Sequence, residues 1–142
     1  MVDKFLAKRK TDEIGSYIRE LEGVMKFRER EILEDYIKLR ALERIFQLIV
    51  DEMIHLNLHF ISGIPLKTPS DFQSSFEIIA TEGKILPPEF ATKIAPVVGL
   101  RNRLIHRYEE IDSKFFVEQV KKEHKDFIEY IKLINKYLEK IK

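Results

Sequence analysis

Cysteine is absent from this 142-residue chain, and glycine and proline number only five each. Without cysteine the chain has no disulfide, no thiolate nucleophile and no cysteine-ligated metal. So few glycines and prolines argue against an all-β protein built on tight turns. No segment approaches the roughly 20 apolar residues of a membrane span, and the N-terminus lacks the apolar core of a signal peptide. We therefore expect a cytoplasmic protein without a membrane segment.

An excess of charge of one sign is also missing, because 25 Lys and Arg residues balance 24 Asp and Glu residues to a net charge of +1. This balance argues against a protein that coats polyanions with its whole surface, but it allows a local basic site. Charged residues make up 35% of the chain and apolar residues 44%, so the chain can fold around a core. At this length we expect one domain, residues 1–142.

Apolar residues recur at helical spacing in five segments. The predicted helices span residues 4–24, 29–61, about 70–81, 87–106 and about 112–142. Pro96 is expected to kink or break the fourth of them. The phenylalanines lie at core spacing, and none is predicted to be a stacking platform for nucleic acid. The fold class predicted is all-α, an antiparallel bundle of four or five helices.

One stripe of the second predicted helix is polar and covers about a third of its circumference. Within it, Asp51, His55 and His59 follow each other at steps of four, as metal ligands can. Two turns separate Asp51 from His59 by about 12 Å along the axis, too far for one ion to bind both. A pair that includes His55 stays open, as do a cleft lining, a dimer interface and an exposed surface. We assign no metal and no other cofactor.

The sharpest local feature is the cationic stretch VVGLRNRLIHRYEEID, residues 97–112. At 100° per residue, Asn102 and His106 share one helix face and Arg103 lies close to it. His106 is a candidate base, because imidazole accepts and returns a proton near neutral pH. Arg101 is a candidate for stabilising the charge of a pentacoordinate phosphate. The alternative is a helix end whose cations face the negative pole of the helix dipole.

The spacing Arg101-x4-His106-x-Tyr108, with Asn102 directly after the arginine, resembles the signature of the HEPN superfamily, specifically its HepT-like toxin branch. The likeness continues on both sides of this motif. ALERIFQLIVDEMIHLNLHFIS, a proline-containing loop and SDFQSSFEIIATEGKILPPEF come before GLRNRLIHRY, and EEID and a long helix follow it. The resemblance therefore extends over essentially the whole chain.

This resemblance implies a helical bundle that forms a homodimer, in which the motifs of two protomers meet in one cleft. It implies a metal-independent endoribonuclease in which Arg101 and His106 are catalytic and Asn102 is supporting. Attack by the 2′-OH of the RNA itself would give a 2′,3′-cyclic phosphate. The resemblance also implies a toxin–antitoxin role, in which a minimal nucleotidyltransferase antitoxin neutralises the toxin by transferring AMP onto Tyr108.

Three further residues are expected to support such a site. Arg107 adds positive charge beside the motif and would help to hold RNA or an AMP phosphate, and Arg103 lies close to the face of the histidine. Asp51 would orient Arg101 or His106 if the polar stripe lines the cleft. The alternative function is a non-catalytic helical partner that binds nucleotides or regulates a nucleotidyltransferase, and a third is a structural bundle with no role in nucleic-acid chemistry.

Overall fold

The computed structural model describes residues 1–106 and 111–141, and this part of the chain contains seven helices and no strand. The helices are α1 (Lys4–Met25), α2 (Glu29–Glu34), α3 (Tyr36–Gly63), α4 (Ser74–Thr81), α5 (Pro88–Ile94), α6 (Val97–His106) and α7 (Ser113–Lys140). The predicted all-α fold class is confirmed. None of the helices described is both long and apolar enough to cross a membrane.

The helix α3 lies at the centre of the bundle, because its residues from Leu39 to Ile61 are apolar on most sides and bury most of their surface. The helix α1 runs antiparallel to it. The Asp3 backbone N–H at the start of α1 donates to His59 Nε2 near the end of α3 at 3.1 Å. An ion pair between Lys10 and Glu52, at 2.8 Å, joins the two helices about two turns farther along α1.

The helix α7 is also antiparallel to α1, and it therefore runs parallel to α3. Lys4 Nζ donates to the Ile141 carbonyl at 3.1 Å, whereas His124 in the first half of α7 pairs with Glu22 near the end of α1 at 3.0 Å. Helices α4, α5 and α6 form the crossover that connects α3 to α7. These short helices leave the last residues of α6 close to the surface of the bundle.

Aromatic side chains join α3 to α7. Phe46 packs edge-on against Phe116, with ring centroids 5.4 Å apart. Farther along, Tyr130 is fully buried and its hydroxyl donates to Asn57 Oδ1 at 2.6 Å. The amide of Asn57 donates in turn to Ser75 Oγ in α4 at 3.1 Å. Three helices are thus connected through one buried polar network, which fixes α4 on α3.

The prediction of one continuous helix over residues 29–61 is wrong at its start. Asp35 has extended backbone angles, φ −118° and ψ 102°, and its side chain accepts hydrogen bonds from the N–H groups of Ile37 and Lys38. A carboxylate in that position is an N-cap, so a new helix begins after it. Pro96, by contrast, separates α5 from α6 as expected, because its ring prevents the helical hydrogen bond at that point.

The third predicted helix begins about four residues later than expected, at Ser74. Asp71 Oδ1 accepts from the Ser74 N–H at 2.7 Å, and Ser74 Oγ donates back to the Asp71 carbonyl at 2.9 Å. These reciprocal bonds hold residues 71–74 as a tight turn ahead of the helix. Phe72, which falls within the helix predicted over residues 70–81, therefore lies in the turn.

Candidate active site

Arg101 is held in place by a carboxylate from the central helix. Because α6 packs against α3, the Arg101 guanidinium reaches Asp51, and its Nε donates to Asp51 Oδ1 at 2.7 Å. Both side chains are largely buried, 18% and 21% exposed. A second bond joins Arg101 Nη1 to Asn102 Oδ1 at 2.9 Å. Three of the residues singled out from the sequence therefore form one hydrogen-bonded group.

His106 is the last residue of α6 and its side chain is exposed. It follows Asn102 by four residues, so the two lie on the same side of the helix, about 6 Å apart along the axis. Arg103 lies on another side of α6, where it lines a pocket of about 270 Å³ together with Phe115 and Glu123. The structure thus turns Arg103 away from the group formed by Arg101.

Arg107 and Tyr108, which the resemblance marks as a basic neighbour and as the AMP acceptor, lie outside the described residues. Their assignments stay predictions. Within α6, the ten residues from Val97 to His106 include two arginines and no acidic residue. The helix itself therefore carries only positive charge, and Asp51 of α3 compensates that of Arg101.

The polar stripe of α3 does not converge on one point. Asp51 pairs with Arg101, His55 lies 3.5 Å from Glu52, and His59 accepts from the Asp3 N–H. Among residues 1–106 and 111–141, no three His, Asp or Glu side chains are grouped as a metal site would need. Burial alone would raise the pKa of Glu52. Its hydrogen bonds, above all the one from Lys10, outweigh this effect, so the pKa of the Glu52 carboxyl is lowered.

Phe72 is a further residue of this region, and the sequence did not point to it. The residue is 45% exposed, and its ring centroid is 5.8 Å from the Arg101 guanidinium carbon. It lines a pocket of about 390 Å³ whose other walls are Ser70, Asp71, Gln73, Val98 and Asn102. The signal that would have found it is the Asp71-x-x-Ser74 spacing, which is typical of a turn ahead of a helix.

Residues 14–134 match the family model described as Ribonuclease HepT-like. Two curated relatives agree with this match. The chain is 31% identical over 139 residues to the tRNA nuclease HepT of Aphanizomenon flos-aquae, an alignment that covers 96% of this chain and 92% of that one. It is 28% identical over 109 residues to the mRNA nuclease HepT of Shewanella oneidensis, covering 77% of each.

Among solved structures, the fold is similar to that of a tri-AMPylated Shewanella oneidensis HEPN toxin in complex with MNT antitoxin. The TM-score is 0.83 at 21% identity, and the match covers 95% of this chain and 98% of that one. A likeness at this identity establishes the fold, and the family follows from the match over residues 14–134. The chain belongs to the HepT-like ribonuclease family.

Proposed function

We propose that this chain is a metal-independent endoribonuclease whose catalytic residues are Arg101 and His106. Membership of the HepT-like ribonuclease family supports an activity on RNA. The choice of residues rests above all on the ion pair between Asp51 and Arg101, at 2.7 Å. This pair fixes a guanidinium on the helix that ends in His106, and cleavage of a phosphodiester needs such a cation and a base together.

Arg101 binds the scissile phosphate and stabilises the additional negative charge of its pentacoordinate transition state. Its Nε donates to Asp51 and its Nη1 to Asn102, and within residues 1–106 and 111–141 no hydrogen bond from Nη2 is found. We assign that nitrogen to the phosphate. Asp51 and Asn102 act through Arg101 and are therefore positioning residues.

His106 performs the proton transfers. It takes the proton of the 2′-OH as the O2′–P bond forms, and a histidine returns a proton to the 5′-oxygen as the P–O5′ bond breaks. The products are a 2′,3′-cyclic phosphate and a 5′-hydroxyl. DNA lacks the 2′-OH and is not cleaved by this route.

The active form in this proposal is a homodimer. One motif contains one histidine, whereas the reaction needs a base and an acid on opposite sides of the phosphorus, so two motifs that face each other supply both. Arg107 follows α6 in the chain and contributes a cation to the binding of the RNA backbone. Arg103, on another side of α6, contributes only where bound RNA extends to the pocket that it lines.

A toxin role with a nucleotidyltransferase antitoxin belongs to the same proposal, and so does a cytoplasmic site of action. The toxin role is supported by the similar fold of an AMPylated toxin bound to its antitoxin. Tyr108 is the AMP acceptor. The added phosphate repels the RNA backbone, and the added nucleoside blocks access to the site.

The wild-type chain should gain the mass of AMP when incubated with its partner and ATP. An equal gain by Tyr108→Phe would assign the acceptor to another residue.

The experiment that tests the nuclease is cleavage of total tRNA and of an mRNA transcript in EDTA, with wild-type protein, His106→Ala and His124→Ala. We expect His106→Ala to lose about 100-fold or more in rate, the usual contribution of a general base. His124 serves as the control because it lies on α7 and pairs with Glu22 of α1, outside the motif. The His124→Ala variant should cleave like the wild type.

Two outcomes would contradict the proposal. Cleavage that stops in EDTA would mean a metal-dependent reaction. Equal traces from wild type and His106→Ala would mean that the RNA is cut by a contaminant, and the non-catalytic binding partner would then be the better account. A pull-down with the nucleotidyltransferase would test that account directly.

A further inference from the structure

The ring of Phe72 lies at the surface beside the guanidinium that we assign to the phosphate. The ring centroid is 5.8 Å from the Arg101 guanidinium carbon, within the distance at which a cation and an aromatic face attract each other. Nearly half of the Phe72 residue is exposed, which costs free energy because apolar surface stays in contact with water. An exposed ring beside a phosphate-binding cation is therefore a candidate contact for the substrate.

The backbone beneath this ring is tied to the core. Ser75 Oγ donates to the Phe72 carbonyl at 2.6 Å and accepts from Asn57 at 3.1 Å. Asn57 is fully buried and accepts from Tyr130. The backbone of Phe72 is thus tied to a network that reaches the centre of the bundle, so the point from which the ring extends is fixed before any ligand arrives. A site that is organised in advance binds without paying to order its own residues.

The pocket next to the ring has the chemistry of a nucleobase site. Its volume of about 390 Å³ lies in the range of small-ligand pockets, about 300–1,000 Å³. Phe72 shares the lining of this pocket with the polar residues Ser70, Asp71, Gln73 and Asn102. A base offers a flat face for stacking and an edge of donors and acceptors for polar groups. An apolar partner protein would leave these polar groups without hydrogen bonds.

We propose that Phe72 is a stacking platform for the RNA base next to the phosphate bound by Arg101. Asp71, Gln73 and Asn102 line the edge of that base. This inference rests on the proposed function, since it places the scissile phosphate on Arg101. A base can stack on a protein ring only after it has left its neighbours in the RNA, so the substrate is unpaired at this nucleotide, as in a loop or a single-stranded end.

The test measures binding of a fluorescent single-stranded 2′-O-methyl oligonucleotide, which lacks the reactive 2′-OH, by anisotropy. The proteins are wild type, Phe72→Leu, Phe72→Trp and Phe5→Leu. Phe5 is 78% exposed at the start of α1 and serves as the matched control. We expect Phe72→Leu to raise Kd about tenfold, in the range found for the loss of one stacked base. Phe72→Trp and Phe5→Leu should bind within about twofold of wild type.

Three results would overturn the platform. The first is that Phe72→Leu binds the oligonucleotide no more weakly than Phe5→Leu does. The second is that Phe72→Trp binds as weakly as Phe72→Leu, because the loss of affinity would then come from disturbed packing and not from lost stacking. The third is the absence of binding by the wild-type chain. Sedimentation of the same proteins tests the competing role, because a Phe72→Leu that alone changes the association state would make Phe72 part of a protein interface.

Cleavage of unmodified RNA by the same proteins separates this inference from the proposed function. If the wild type cleaves RNA but its binding does not depend on the ring, the nuclease stands and the platform fails. If binding depends on the ring but no protein cleaves, the platform stands as a binding site and the catalytic assignment fails.

Discussion

At the scale of single residues, Arg101 depends on a carboxylate that lies fifty positions earlier in the chain. Its side chain and that of Asp51 are each about four-fifths buried. Because so little water reaches this ion pair, it is less screened than a surface pair and holds the guanidinium in one orientation. The direction in which Arg101 presents its remaining donor is therefore set by Asp51.

The first prediction concerns Asp51→Asn. The amide still accepts a hydrogen bond from Arg101 Nε but no longer carries the charge that fixes the guanidinium. We expect kcat to fall about 10- to 100-fold, as for a catalytic group that is displaced slightly, while KM changes little. The free energy of unfolding should fall by about 1 to 3 kcal/mol, because a largely buried guanidinium loses its counter-charge but keeps one hydrogen bond. Steady-state cleavage kinetics and urea unfolding measure the two effects.

Asp12→Asn is the control for this variant, because it removes a carboxylate from an exposed ion pair on α1. It should leave both kinetic constants unchanged. If Asp51→Asn also cleaves at the wild-type rate, Arg101 needs no carboxylate and the role of Asp51 as a positioning residue is wrong.

Some of these site residues could be predicted from the sequence and others could not. Helical spacing placed Asn102 and His106 on one face, whereas Arg101 was singled out by the chemistry of its guanidinium and by the resemblance to the HEPN motif. Asp51 could be named only on the condition that its stripe faced the cleft, because that depends on how α3 packs against α6. Phe72 was placed in the core, since its exposure depends on where a turn ends and a helix begins.

At the scale of helices, the two breaks within predicted helices differ in how plainly the sequence shows them. Pro96 removes a helical hydrogen bond in any context, so its effect was expected. Asp35 ends one helix and caps the next through its side chain, although aspartate also occurs inside helices. Its choice between those roles depends on the tertiary structure, and periodicity alone did not show it.

The second prediction concerns Glu123 on α7. Burial, followed by the nearby Asp126 carboxylate, raises the pKa of Glu123 from 4.5 to about 7, and Lys93 offsets only part of this. The folded protein therefore holds this proton more tightly than the unfolded chain does. Its stability should fall as the pH rises from about 4.5 to about 7 and be unaffected by Glu123 at lower pH.

The variant Glu123→Gln removes this dependence, because its amide can donate to Asp126 as the protonated carboxyl does. At pH 8 we expect it to be more stable than wild type by about 1 to 2 kcal/mol, a value reduced because water reaches part of the side chain. Urea unfolding between pH 4.5 and 8 measures the difference. Glu118→Gln, an exposed position on the same helix, should follow the wild-type curve, and a Glu123→Gln that also follows it would show that the carboxyl is ionised throughout.

At the scale of the whole molecule, α1, α3 and α7 form a scaffold and α6 presents the site at its exposed end. This arrangement leaves one histidine of the motif on each chain. The third prediction is therefore a homodimer, with sedimentation equilibrium at micromolar concentration giving twice the chain mass of 16.9 kDa. A strict monomer that still cleaves RNA would mean that one His106 performs both proton transfers.

The proposed reaction depends on attack by the RNA's own 2′-OH on a phosphate held beside His106, and removal of that hydroxyl from the substrate tests this step. An RNA that is cleaved at one bond is compared with the same RNA carrying a single 2′-deoxynucleotide on the 5′ side of that bond, and the products are analysed by mass spectrometry. We expect a 2′,3′-cyclic phosphate and a 5′-hydroxyl from the RNA and no cleavage at the deoxy position. Cleavage there at an unchanged rate, or products with a 5′-phosphate and a 3′-hydroxyl, would contradict it.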